Sequence, residues 1–232
     1  MKTTFLVTFL SYCLLMSLST AANFEKGEAA LVAGDPETAF REWLKLAEAG
    51  DATMQWTIGN FYNFGLGVPK DHEKAAQWLM KAALQGSARA QYDLAVAYEK
   101  GRGVPQDSEE AMKWVIEAAD GGSSEGQRNM GLMYQAGDYF PQDFKAAVEW
   151  YLKAAEQNNG KAQENLAHMY AKGLGVPIDY VYAHMWWNIA SANEVSGARE
   201  NVEIVAKKMT PGQIAEAQKL ARECVKKEYK NC

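Results

Sequence analysis

The residues GLGVPKD at 65–71 return as GRGVPQD at 101–107, GDYFPQD at 137–143 and GLGVPID at 173–179, each copy starting 36 residues after the last. The interval holds at other positions without an insertion. Gln stands at 55, 91, 127 and 163, and Tyr at 62, 98, 134 and 170. Asp stands at 71, 107, 143 and 179, and Trp at 78, 114, 150 and 186. Self-similarity at one fixed period means that each copy is a single supersecondary unit, stacked to bury a face it cannot bury alone. A glycine-rich loop could also cradle phosphate. A phosphate loop follows a strand and ends in Lys-Ser/Thr. This stretch follows a helical pattern, occurs four times and lacks that pair, which excludes nucleotide binding.

Each copy reads as two helices. Met54, Ile58, Gly59 and Tyr62 fall on one face of the first helix. Gly65 is placed to end it in a left-handed conformation, and Gly67 permits a further unusual dihedral. Pro69 prevents resumption, and Asp71 is placed to cap the second helix. Asp107 followed by Glu110 completes a capping-box pattern. Ala75, Trp78 and Ala82 form the expected buried stripe of the second helix, with Trp43 one residue out of register in the N-terminal pair. GDYFPQD replaces the second glycine by Tyr139, so the third corner is expected to be the least regular.

The resulting division is 1–22 leader, 23–50 degenerate helical pair, 51–86, 87–122, 123–158 and 159–194 repeats, and 195–232 capping helices. The leader pairs Lys2 with an uncharged apolar run from Phe5 to Leu18 and a small-residue end at Ala21-Ala22. That is the make-up of a cleaved secretory signal, and the run falls short of the roughly 20 residues a spanning helix needs. A periplasmic or secreted protein is expected, with no stable membrane insertion after cleavage. Without the leader the chain has 23 Lys and Arg against 29 Asp and Glu, a formal charge of −6, with the acids interspersed. Nucleic-acid binding wants a basic stripe, so that partner is disfavoured. Two cysteines remain, Cys224 and Cys232. Eight residues of helix separate Cα atoms by about 12 Å, too far for a disulfide. An intramolecular bond therefore requires the helix to end soon after Cys224 and the tail to fold back. Free thiols or an intermolecular bridge are the alternatives.

The pattern Q-x-x-L-G-x-x-Y-x-x-G-x-G-V-P-x-D-x-x-x-A-x-x-W-x-x-x-A, strong over residues 51–194, resembles the Sel-1-like repeat, a relative of the tetratricopeptide repeat. The resemblance implies an all-α fold, a right-handed α-α superhelix of helical hairpins. It also implies a scaffold or adaptor that binds a partner protein or peptide on a concave groove. Some exported bacterial members are implicated in host contact, envelope signalling or cell-wall roles. A few disulfide-rich relatives bind or slowly hydrolyse β-lactams, but they carry a cysteine pair in each repeat, and no repeat here has a cysteine.

By that analogy the groove is lined by first-helix positions beside the core face. They include Trp56, Asn60 and Phe64 in the first copy and Tyr92 and Val96 in the second. Arg128 and Leu132 follow in the third, and His168 and Lys172 in the fourth. These positions change from copy to copy while the core positions do not. Large aromatics and Arg are typical binding anchors. Trp56 and Phe64 serve either as such anchors or as packing for the N-terminal pair. No catalytic or metal constellation is legible: H-E-x-x-H, C-x-x-C and G-x-S-x-G are all absent. Glu164 and His168 share a helix face, but two ligands do not make a metal site. The expectation is a monomeric, non-catalytic binder without cofactor or metal. The alternatives are a binder of envelope glycan or peptidoglycan fragments, and a β-lactam hydrolase.

Overall fold

The computed structural model describes residues 20–232. The expected leader, residues 1–22, lies almost wholly outside them. The helices are α1 (20–32), α2 (Pro36–Glu48), α3 (Ala52–Phe64), α4 (His72–Leu84), α5 (Ala88–Lys100) and α6 (Ser108–Asp120). Then come α7 (Ser124–Ala136), α8 (Phe144–Ala155), α9 (Gly160–Lys172), α10 (Tyr180–Ala192), α11 (Ala198–Ala206) and α12 (Pro211–Lys226). No strand occurs among the described residues, so the fold is an all-α repeat. Among those residues no helix is long and apolar enough to cross a membrane. The chain divides into two compact units, one ending at Trp114 and the other beginning at Val115, within α6. In the first unit α2 packs on α3, α3 on α4 and α4 on α5. In the second, α7 packs on α8, α8 on α9 and α9 on α10, which also carries α11 and α12.

Side chains outside the helices decide where they start and stop. Asp51, Asp71, Ser87, Ser123, Asp143, Asn159 and Asp179 each accept a backbone N–H from the first turn that follows. The first helix of each copy ends on a glycine in the left-handed region, with φ of 72° at Gly65, 61° at Gly101, 82° at Gly137 and 69° at Gly173. Asp107 also caps its helix, accepting from the N–H groups of Glu109 and Glu110. The expected capping box is only half made there. The Glu110 carboxylate accepts from Lys113 at 2.6 Å, while the Asp107 N–H donates to Tyr98 O.

That last bond recurs in every corner. The N–H of Asp71, Asp107, Asp143 and Asp179 donates to the carbonyl of Tyr62, Tyr98, Tyr134 and Tyr170, at 2.9, 3.1, 2.9 and 3.0 Å. The second corner glycine does more than turn the chain. A Cβ on Gly67 would lie 2.5 Å from the Glu37 nitrogen, one on Gly103 1.9 Å from the His72 carbonyl oxygen, and one on Gly175 2.3 Å from the Phe144 carbonyl oxygen. Each corner thus presses backbone to backbone against the first turn of the preceding copy's second helix. Tyr139 breaks this series: it is absent from the residues of positive φ, and its neighbour Phe140 stacks on Tyr134 with ring centres 4.9 Å apart.

The recurring glutamines tie each copy to the one before. Gln55, Gln91, Gln127 and Gln163 donate through Nε2 to the carbonyls of Ala47, Ala83, Ala119 and Ala155. All four are buried, so each satisfies a carbonyl that the preceding helix end leaves open. The recurring tryptophan, by contrast, is not the core residue expected of it. Trp78 and Trp150 are half-buried, each covered by a lysine ammonium 3.9 Å from the ring centre, Lys81 and Lys153. Trp186 alone of the four is fully buried. The buried bulk sits one residue later, at Leu79, Val115, Tyr151 and Trp187. Trp43 belongs to this set by spacing, so it is in register with the core position. Its Nε1 donates to the Phe24 carbonyl at 3.3 Å.

At the C-terminus α12 ends at Lys226, and Glu228, Tyr229 and Asn231 take positive φ, turning the tail back. Cys224 and Cys232 are disulfide-bonded with Cα atoms 5.3 Å apart. The Asn231 N–H reaches Glu156 Oε1 at 3.0 Å, pinning the tail to the end of α8. Two expectations follow from these contacts. Gly103→Ala should cost about 3 kcal/mol or more, because strain and backbone overlap add; Gly86→Ala, with positive φ but open space around it, should cost about 1 kcal/mol. Urea denaturation of the two variants measures the difference. Replacing both cysteines by serine should cost about 2 kcal/mol, the entropy of a short closed loop, read in the same assay.

Candidate functional site

In the first unit two of the sequence-derived positions, Trp56 and Asn60, meet at one carboxylate. Trp56 on α3 is half-buried and packs on a cluster of Leu79, Ala82, Ala83, Ala90 and Leu94. It therefore faces the second copy, not the N-terminal pair. Its Nε1 donates to Asp93 Oδ2 at 2.6 Å, and the Arg89 guanidinium lies 5.5 Å from the ring centre. Asn60, one turn along, donates through Nδ2 to the Trp56 carbonyl at 3.2 Å and to Asp93 Oδ2 at 3.4 Å. Phe64, at the end of α3, is 66% exposed.

Tyr92 and Val96 on α5 are half-buried. Val96 lines a cavity of about 30 Å³ with Asn63, His72, Asp93 and Arg102. His72 Nδ1 donates to Asn63 Oδ1 at 2.9 Å. That volume is about one water's share of the liquid, so this is a packing gap and not a ligand pocket. Asp93 is the residue that sequence reasoning missed. A signal was present, since the equivalent positions carry Thr57, Asn129 and Asn165, and only this copy places a charge there.

In the second unit Arg128 and Leu132 lie on α7, with Leu132 36% exposed. Arg128 is close enough to oppose the effect of burial, which raises the Tyr151 hydroxyl above the usual phenol range. That hydroxyl donates to Gln135 Oε1 at 2.7 Å. On α9, His168 sets its ring edge-on to Trp187 with centres 5.0 Å apart. Burial lowers the His168 pKa, an effect the Glu164 carboxylate opposes and the Lys172 ammonium reinforces. Lys172 is exposed at the helix end. No group of three or more His, Cys, Asp or Glu side chains able to hold a metal ion occurs among the described residues. Each unit separately offers groups suited to recognition: an aromatic ring and an amide in the first, an apolar residue, an ammonium and a guanidinium in the second.

The Sel1 repeat model matches residues 54–87, 88–123, 124–159 and 160–194. A Sel1 repeat protein from Oxalobacter formigenes superposes with a TM-score of 0.69 at 36% identity, over 74% of this chain and 49% of that one. A protective antigen present in uropathogenic Escherichia coli strains, displaying an SLR fold, superposes with a TM-score of 0.76 at 32% identity, over 90% of this chain and 47% of that one. The chain therefore spans about half the length of these two relatives. An immunity protein from Pseudomonas aeruginosa, at 20% identity and a TM-score of 0.54 over 90% of this chain and 80% of that one, shares the fold alone. No curated protein matches the chain. With four matched repeats covering more than half its length, the chain belongs to the Sel1 repeat family.

Proposed function

We propose that the chain is a non-catalytic scaffold that holds a partner protein or peptide against the varying positions of its first helices, α3 and α5 in one unit and α7 and α9 in the other. The observation that carries this reading is a division of labour within each first helix. The recurring Gln side chain is spent on the preceding helix end, and the recurring Asp just past the first helix is spent on the corner bond and the cap of the next helix. The positions that change between copies stay partly or fully open to solvent, Phe64, Leu132, Arg128 and Lys172 among them.

Trp56 is already held by Asp93 and Arg89. It offers a fixed ring face and no free N–H, so little side-chain entropy remains to be lost on binding. Sel1 repeat proteins are generally interaction modules and typically non-catalytic, which supports the class. The disulfide supports a periplasmic or secreted location, because such bonds persist in oxidising compartments.

The test is a crosslinking pull-down from native envelope, with and without muramidase digestion. It compares the parent chain with a Phe64→Ala, Arg128→Ala double variant. Neither residue is in the core, so the melting temperature should not move, while capture should fall by about tenfold, the effect of losing one good anchor. Undiminished capture rejects the surface. Capture that disappears on digestion assigns the ligand to envelope glycan instead.

A further inference from the structure

A second recognition site lies away from the first helices, within the C-terminal unit. α10 and α12 enclose an open cleft of about 480 Å³, lined by Asn188, Ile189 and Ala192 from α10 and by Gln218, Ala221, Arg222, Val225 and Lys226 from α12. The α12 residues fall at successive spacings of three, one, three and one, a single stripe along the helix. Its opposite face is spent on the core, where Ala217 and Cys224 are buried. The cleft floor is aliphatic, with Ile189 only 2% exposed, while Val225 on the rim is 47% exposed. A volume of this size with an apolar floor and polar groups around it is that of a ligand site.

Charge says what would fill it. Residues 207–232 hold seven Lys and Arg against three Glu, whereas the whole chain carries a net −5. Arg222 and Lys226 stand one helical turn apart at the rim, and neither is ion-paired among the described residues. The neighbouring Lys219 meets Glu223 at 3.8 Å, so the cleft cations keep their charge while that carboxylate is taken up by Lys219. We propose that this cleft is a peptide-docking site. It would take a segment that sinks one apolar side chain onto Ile189, Ala192, Ala221 and Val225 and sets flanking carboxylates against Arg222 and Lys226. A peptide fits better than an anionic membrane, because the apolar atoms lie at the bottom of a concave cleft and a bilayer needs them on a convex face. The disulfide and the tail contact to Glu156 hold the end of α12 in place, so the cleft is formed before the ligand arrives.

The experiment measures fluorescence anisotropy of the full chain with a panel of fluorescein-labelled peptides, each carrying a single Leu, Phe or Trp flanked by Glu. Saturable binding that weakens with salt is expected, and is lost when Lys replaces Glu in the peptide. Arg222→Gln with Lys226→Gln should weaken it by about tenfold or more, as should Ala192→Trp, which fills the cleft from an exposed position. Lys207→Gln with Lys230→Gln removes two exposed cations of the same basic end outside the cleft and should leave binding unchanged. The proposal is overturned if no peptide saturates, if both double variants weaken binding equally, or if phosphatidylglycerol vesicles bind and the peptides do not.

Discussion

At each corner the chain is held by contacts between main-chain atoms, and the rest of the molecule follows from them. The aspartate N–H closes on the tyrosine carbonyl nine residues earlier. In three of the corners a glycine lies so close to the preceding second helix that a side-chain carbon has no room. Because these are backbone contacts, they fix the angle between successive helices with little freedom. A side-chain contact could be remade by a rotamer change, but this one cannot. The glutamine bonds then register each first helix on the end of the helix before it, and the alanine faces allow the close approach that those bonds require.

Much of this is legible in the amino-acid order because it is local. Helix ends are written as Gly, Pro and Asp at fixed offsets, and the capping side chains act within three residues of their own position. The role of the second glycine is not local. Its spacing shows that an unusual dihedral is allowed, but the neighbour that excludes a Cβ belongs to the copy before. The recurring tryptophan misleads for a related reason. Recurrence marks a residue that every copy carries, not its depth: Trp78 and Trp150 are half-buried rings under a lysine, and Trp186 is fully buried. The deepest position varies freely because its partner varies with it, as where Gly131 leaves the space that Tyr151 fills. Volume is preserved there while identity is not.

The same distinction separates structure from recognition. The recurring Gln donates its side-chain amide to the preceding helix end, and the recurring Asp caps the helix that follows it. Residues whose identity changes line the first helices with a mixture of ring faces, aliphatic surface and cations. Asp93 crosses this line. It is a varying residue, yet it is committed to Trp56 and Asn60, and it shapes the surface by fixing them. No spacing rule points to it, since its partners come from a neighbouring helix 33 and 37 residues away. The cleft of α10 and α12 is invisible to the repeat pattern for a simpler reason: α12 lies beyond the last copy, and only its three-and-four spacing of Ala, Val and cations hints at a second face.

Amide hydrogen exchange at Asp71, Asp107, Asp143 and Asp179 tests the central claim most directly, because those four N–H groups are the bonds that close the corners. They lie in turns at the surface, where an unbonded amide exchanges quickly. Closed corners predict protection comparable with the interiors of the flanking helices, lost together with them in denaturant. Exchange as fast as in an unstructured peptide, with the helices still protected, would contradict it: the copies would then be held by side-chain packing alone.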